Sequence, residues 1–100
     1  MNCLVLIDVT NDLISVHGHA EGEHGNNIAC EAVTVLCNSI AASLTEITGQ
    51  PEQVLEFGSG NFILDREDLS AESGLLVRSF LLALEMVSEA YPDKIRMTKL

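Results

Sequence analysis

Basic residues are scarce in this chain, and none occurs before Arg66. The 100 residues include 15 acidic and 5 basic side chains, which gives a formal net charge of −10. Such a surface repels the phosphates of nucleic acids and anionic lipid headgroups, and it attracts basic peptides. We therefore expect no nucleic-acid or membrane partner and favour a basic protein segment as the partner. Alternatively, the excess of acidic residues only keeps a small protein in solution.

Aromatic residues are also few, at 4% with no tryptophan, so the core of this chain must be aliphatic. Hydrophobic residues make up 47%, which is enough to build one. The length predicts one domain over residues 1–100. Because a chain of this size buries only about two-thirds of its unfolded surface, association with a second copy would add useful burial.

Long apolar runs and paired cysteines are missing as well. We expect no transmembrane segment, because no stretch approaches the required length, and the apolar run near the N-terminus lacks the features of a secretion signal. The three cysteines, an odd number, argue against a disulfide framework. These features predict a cytoplasmic protein with free thiols.

The spacing of apolar residues and turn formers predicts the element order ββαββαβ. The strands are expected at residues 3–9, 13–18, 54–57, 61–65 and 94–98, and the helices at residues 28–47 and 71–90. Asn27 and Ser70 are the predicted N-caps, and Ser73 offers an alternative start for the second helix. The fold class is therefore α/β of the two-layer α+β kind, a mixed β-sheet with two helices on one face. The second helix is apolar on more than one face, which favours a further contact with a partner subunit.

Cys30 is the first candidate for chemistry, because it lies in the first turn of a predicted helix. Free backbone N–H groups and the helix dipole stabilise a thiolate there, and the same N–H groups can stabilise an oxyanion. A histidine of the upstream cluster, His17, His19 and His24, can exchange a proton with such a thiol. Cys30 also lies on the apolar stripe of the helix, where a buried structural cysteine is common. Cys37, two turns later on that stripe, is predicted to be a core residue.

A metal site is the competing interpretation of the same residues. His17 and His19 share one strand face by alternation, and His24 and Cys30 are near in sequence. Zinc accepts such a ligand set. The paired-ligand spacing typical of zinc sites does not occur, so we expect no metal and no other cofactor.

The segment Gly18-His19-Ala20, followed by a short loop and by Asn27-Ile28-Ala29-Cys30-Glu31-Ala32-Val33-Thr34, resembles the ribosomal-processing cysteine protease family, Prp. The family pattern is GHA, a loop and D-I-V-C-A-A-V-S. The specific part of the resemblance covers about residues 16–34, and its chain length and element order also agree. Two positions depart from the pattern: Asn27 replaces an aspartate, and Thr34 replaces a serine.

The resemblance implies a homodimeric cysteine endopeptidase. Its substrate would be the N-terminal extension of the bacterial large-subunit ribosomal protein number twenty-seven, a basic protein. His19 would be the general base and Cys30 the nucleophile, with Asn27 and Thr34 in supporting roles. The substrate loop would comprise Gly18, Ala20, Glu21, Gly22, Glu23, His24 and Gly25. The alternative hypothesis is a non-catalytic dimeric module that binds a basic ribosomal protein.

Strand alternation places a condition on the catalytic hypothesis. If Ile14 and Val16 face the helices, His19 on a regular strand would point away from Cys30. We therefore expect the second strand to end or bulge near Gly18.

Overall fold

The computed structural model describes residues 4–18, 28–58 and 60–100. The described elements follow the predicted order ββαββαβ. The strands are β1 (Val5–Val9), β2 (Leu13–His17), β3 (Val54–Gly58), β4 (Asn61–Asp65) and β5 (Ile95–Lys99), and the helices are α1 (Ile28–Glu46) and α2 (Ala71–Ala90). A short 3₁₀ helix, Pro51–Gln53, precedes β3.

The five strands form one mixed sheet in the order β3-β4-β2-β1-β5. β1 pairs with β2 and β3 pairs with β4, and each antiparallel pair is joined by a short connection. β5 joins the outer side of β1 in parallel. β1 therefore lies inside the sheet, and β2 is the central strand.

The core lies between one face of the sheet and the two helices. Alternate strand residues, such as Ile7, Ile14 and Phe62, are buried there against helix residues such as Val33 and Leu84. The core is mostly aliphatic, as the composition predicts, and one cluster of aromatic rings lies within it. Phe62 makes edge-to-face contacts with two further phenylalanines, with ring centroids 5.4 and 5.9 Å away.

Helix α2 begins where the sequence predicts. The Ser70 hydroxyl accepts a hydrogen bond of 3.1 Å from the N–H of Ser73, which is an N-cap interaction. The helix ends at Ala90, also as predicted. As predicted, α2 is apolar on more than one face, because Leu75, Leu82 and Met86 are each more than 60% exposed.

Two expectations for α1 are wrong. The helix ends at Glu46 and leaves Ile47 exposed, because the chain turns away through Gly49, which has a φ of +70°. The helix is also long enough and apolar enough to cross a membrane. This finding contradicts the prediction that no stretch approaches the required length. A core helix passes the same test, and α1 buries a stripe that includes Val33, Cys37 and Leu44.

Candidate functional site

Gly18 ends the central strand in a conformation that favours glycine. Strand β2 stops at His17, and Gly18 has a φ of +91°. Its N–H donates a hydrogen bond of 2.8 Å to the Gly60 carbonyl on the β3–β4 turn. A Cβ atom at Gly18 would stand 2.6 Å from the carbonyl oxygen of Leu4, closer than real Cβ contacts allow. The predicted interruption of the strand near Gly18 is therefore confirmed.

The strand before Gly18 directs its histidine away from the helices. Ile14 and Val16 are fully buried against the helix layer. Because side chains alternate along a strand, His17 lies on the opposite face of the sheet. His17 is therefore separated from Cys30 by the sheet.

Cys30 lies beside that break. It occupies the first turn of α1, and its Sγ atom is 3.9 Å from the carbonyl oxygen of Gly18. Its side chain is only 5% exposed. The end of β2 and the start of α1 thus meet at Cys30, as the catalytic hypothesis requires, and His19 is the residue that directly follows Gly18 in the chain.

The sulfur of Cys30 is disulfide-bonded in this structure. The expectation that all the cysteines are free thiols is therefore wrong for Cys30. The reason is spatial, because cysteine number and sequence context do not report which sulfur atoms the fold brings together. A disulfide sulfur has no proton to give and cannot act as a nucleophile, so catalysis through Cys30 requires its free thiol or thiolate.

Thr34 contacts the backbone of the candidate nucleophile. Its hydroxyl donates a hydrogen bond of 2.9 Å to the Cys30 carbonyl, one helical turn back. A threonine in a helix commonly makes this bond. The structure therefore brings Thr34 to Cys30 and places its hydroxyl on the carbonyl of that residue.

Cys37 lies two turns after Cys30 on the same buried stripe of α1, away from the start of the helix. Its side chain is fully buried in the core, and it is a free thiol. Burial raises the pKa of the Cys37 thiol to about 12. The group therefore stays protonated at neutral pH and packs as a small apolar residue, as predicted.

Several predicted site residues lie outside the described parts of the chain. They are His19, Asn27 and, from the proposed substrate loop, Ala20, Glu21, Gly22, Glu23, His24 and Gly25. Within residues 4–18, 28–58 and 60–100, no group of three His, Cys, Asp or Glu side chains is arranged to hold a metal ion. The zinc hypothesis also needs His19 and His24, so it stays a prediction, although the sheet separates its other two members, His17 and Cys30.

Leu4 and Gly60 also shape the site, and no local sequence pattern indicated either residue. Leu4 closes one side of Gly18, and Gly60 accepts its N–H. Both contacts follow from register, because Leu6 and Asn61 are the partners of His17 on the two neighbouring strands. Asn61 pairs with His17, and within the described parts of the chain no group donates a hydrogen bond to its buried Oδ1 atom. Only knowledge of the strand order would have identified these neighbours.

The comparisons with known proteins agree on one family. The family model for the cysteine protease Prp matches residues 8–96. A ribosomal processing cysteine protease Prp from Staphylococcus aureus is 28% identical over 103 aligned positions, covering 94% of this chain and 97% of the relative.

Two crystal structures of the Staphylococcus aureus protease share the fold. One contains a covalently linked product peptide and has a TM-score of 0.79, and the other contains a substrate peptide and has a TM-score of 0.78. Each is 19% identical to this chain, and each match covers 97% of this chain and all of the other. A Streptococcus mutans protein structure is 22% identical, with a TM-score of 0.71, covering 97% of this chain and 92% of that one.

Proposed function

Because this chain belongs to the cysteine protease Prp family, we propose that Cys30 and His19 cleave the N-terminal extension of a large-subunit ribosomal protein, number twenty-seven. Family membership makes the chain a cysteine protease and favours catalysis over a purely binding module. Two observations support this substrate. The curated relatives are named as ribosomal processing proteases, and no basic residue precedes Arg66 in this chain.

One observation carries the assignment of the nucleophile. The Cys30 sulfur lies in the first turn of α1, 3.9 Å from the Gly18 carbonyl. Helix N–H groups without intrahelical partners are concentrated in that turn. They favour a negative charge on sulfur and, during the reaction, on the substrate oxygen. Cys37 has none of these advantages and is held protonated by burial.

The reaction follows from these positions. In the reduced enzyme His19 takes the proton of Cys30, and the thiolate attacks the carbonyl carbon of the scissile peptide bond. The tetrahedral oxyanion is stabilised by N–H groups at the start of α1. The imidazolium of His19 then protonates the departing amine, which leaves a thioester on Cys30. Water, deprotonated by His19, hydrolyses the thioester and restores the thiol.

The loop between His19 and Cys30 is the proposed contact for the substrate. It carries Glu21 and Glu23, which complement a basic peptide. Asn27 is the proposed cap of α1 and Thr34 a support for the backbone of Cys30. We place the enzyme in the cytoplasm, where a reducing pool keeps Cys30 as a thiol.

A homodimer is part of the same proposal. The exposed apolar stripe of α2, formed by Leu75, Leu82 and Met86, gives a surface on which a second copy can pack. Light scattering should give twice the chain mass for the wild type. Leu82→Asp should give the monomer mass with an unchanged circular dichroism spectrum, and a monomeric wild type would contradict the proposal.

The test of the activity uses a peptide that spans the processing junction and enzyme reduced with dithiothreitol. Cleavage is measured by mass spectrometry. Cys30→Ala should lose about 10⁴-fold or more in kcat, and His19→Ala about 10²–10⁴-fold. Cys37→Ala is the matched control, because it removes a cysteine from the same helix and should keep the rate of the folded wild type.

Two results would overturn the assignment. The first is an intact peptide after incubation with the reduced wild type. The second is equal cleavage by Cys30→Ala and the wild type. Alkylation gives an independent measurement: reduced Cys30 should react rapidly with iodoacetamide near neutral pH, and His19→Ala should slow that reaction.

A further inference from the structure

We propose that the free edge of β3 is a docking strand for the substrate and binds an extended basic segment on the C-terminal side of the scissile bond. The proposal rests on the proposed function and deepens it, because it names a second contact of the same substrate outside the site at Cys30. The observation behind it is an edge strand with exposed apolar side chains that ends level with the site.

β3 has backbone groups available to a further strand. It is the outermost strand on one side of the sheet, and within the described parts of the chain β4 is its strand partner. An edge strand presents unpaired N–H and C=O groups on its outer side. An extended peptide can add to such an edge as one more strand, and its main-chain hydrogen bonds supply affinity.

The side chains of β3 leave this edge unprotected. Leu55 is 56% exposed and Phe57 is 43% exposed. The register with β4 shifts between Val54 and Glu56, at the start of the strand, and the positions from Glu56 to Gly58 pair regularly. Natural edges are usually blunted by charged residues, above all lysine, whereas the one charged side chain of β3 is Glu56. Exposed apolar residues on a regular edge favour an extended peptide as the partner.

The opposite edge of the sheet has the protection that β3 lacks. β5 is the outermost strand on that side, and its side chains Arg96, Thr98 and Lys99 are exposed. Two of these three are basic, so they oppose strand addition in general and a basic peptide in particular. The contrast between the two edges selects β3 as the docking strand.

β3 also ends level with the catalytic end of the sheet. Its last residue, Gly58, pairs with Asn61 on β4, and Asn61 pairs with His17 on β2. These positions form one row across three strands. Gly18 directly follows His17, and its carbonyl oxygen is 3.9 Å from the Cys30 sulfur. A peptide on the edge of β3 therefore has one end level with the proposed nucleophile.

Strand spacing gives the length of peptide that joins the two contacts. Neighbouring strands lie about 4.8 Å apart, so a strand added outside β3 lies about 14 Å from β2. An extended chain spans about 3.3–3.6 Å per residue, and about four to six residues cross this distance. The docked segment would then cover the five residues of Val54–Gly58. Substrate residues more than about four positions from the scissile bond are those that reach β3.

Direction and charge place the docked segment after the scissile bond. β3 runs toward the site, because Gly58 is at the catalytic end. An antiparallel partner, which is the more stable pairing, starts at that end and runs away from it. Its residues therefore follow the scissile bond, where the body of the proposed basic substrate lies. Glu52 and Glu56 are exposed along this edge and complement its charge.

The test compares two junction peptides that share the residues before the scissile bond. The short peptide ends four residues after that bond, and the long one ends twelve residues after it. For the reduced wild type, kcat/KM of the long peptide should be about tenfold higher. The gain should lie in KM, because contacts remote from the reacting atoms bind the ground state and the transition state alike. Equal kcat/KM values for the two peptides would overturn the docking strand.

Three variants with the same change in net charge locate the contact. Leu55→Lys places a basic side chain on the β3 edge and should bring KM of the long peptide to within about threefold of the short one. Glu56→Gln should raise KM of the long peptide by about two- to fivefold. Thr98→Lys, on the β5 edge, is the matched control and should behave as the wild type. All three should cleave the short peptide at the wild-type rate, and an equal loss in Thr98→Lys and Leu55→Lys would contradict the proposal.

Amide hydrogen exchange measures docking without cleavage. In Cys30→Ala the long peptide should slow exchange in Val54–Gly58 and leave Ile95–Lys99 unchanged, and the short peptide should slow neither. Unchanged exchange in Val54–Gly58 would overturn the proposal. Slow exchange there without peptide that is lost on dilution would identify a second copy as the occupant and would also overturn it.

The two proposals fail in different ways. A reduced wild type that cleaves neither peptide contradicts the protease assignment, while exchange in Cys30→Ala still reports docking on β3. A reduced wild type that cleaves both peptides equally well contradicts the docking strand alone.

Discussion

Replacing Gly18 with alanine tests the geometry on which the site depends. Two costs add at this position. An L-residue at positive φ costs about 1–2 kcal/mol relative to glycine. The new Cβ would also stand 2.6 Å from the Leu4 carbonyl oxygen, and forcing an atom into packed structure costs about 1–3 kcal/mol. Gly18→Ala should therefore lower the free energy of unfolding by about 2–5 kcal/mol.

Gly49→Ala is the matched control for the first of these costs. Gly49 also has a positive φ, +70°, but a Cβ atom there would meet nothing within 4 Å. It should cost about 1–2 kcal/mol, from backbone strain alone. Gly74→Ala, within α2 and likewise without a neighbour for its Cβ, should stabilise the protein by about 1 kcal/mol.

The measurements are urea unfolding followed by circular dichroism and cleavage of the junction peptide. For a domain of this size each kcal/mol moves Tm by about 4–8 °C, so Gly18→Ala should lower Tm by about 8 °C or more. Its folded fraction should also cleave more slowly, because the Leu4 clash moves the Gly18 carbonyl away from Cys30. A Gly18→Ala protein no less stable than Gly49→Ala would refute the reasoning.

Three further predictions concern the core, an acidic cluster and a thiol. Phe62→Ala should cost about 3–5 kcal/mol in urea unfolding, because the ring is fully buried, whereas Phe57→Ala at the sheet edge should cost less. The pKa of Glu67 is raised, first by the charge of Asp12, so its ionised form opposes folding. Stability should therefore fall as pH rises through that pKa. Glu67→Gln should have a higher Tm than the wild type at neutral pH but not in acid, where Glu67 is protonated in both the folded and the unfolded state. Equal Tm values at neutral pH would contradict this. Native Cys37 should resist iodoacetamide near neutral pH and react after unfolding in urea, and rapid labelling of the native protein would show that its pKa is not raised.

Local patterns predicted the elements of this fold because each depends on residues near in sequence. The helical spacing from Cys30 to Leu44 indicated the buried stripe of α1, and Ser70 indicated the start of α2. The end of α1 was missed by one residue, because an apolar Ile47 continues the spacing even where Gly49 turns the chain away.

The sheet order and loop contacts depend on distant residues, so local patterns did not reveal them. The amide of Gln53 donates to the carbonyls of Asp65 and Glu67. The amide of Gln50 donates to the carbonyl of Asp68 and accepts a hydrogen bond from the N–H of Ser70. Glutamine has no turn signature, and the partners are mostly backbone atoms. At the site, the break at Gly18 was predicted from strand alternation and is confirmed, whereas the disulfide at Cys30 was not expected. The positions of His19 and Asn27 stay predictions.

The glycine of the Gly18-His19-Ala20 segment has a physical role that follows from alternation. The side of β2 that carries Val16 faces Cys30 and the helix layer, and a histidine two residues after His17 on a straight strand would lie on the wrong side. A left-handed residue between them turns the chain, and the Leu4 carbonyl leaves no room there for a side chain. Glycine thus allows the chain to leave the sheet at the point where α1 begins.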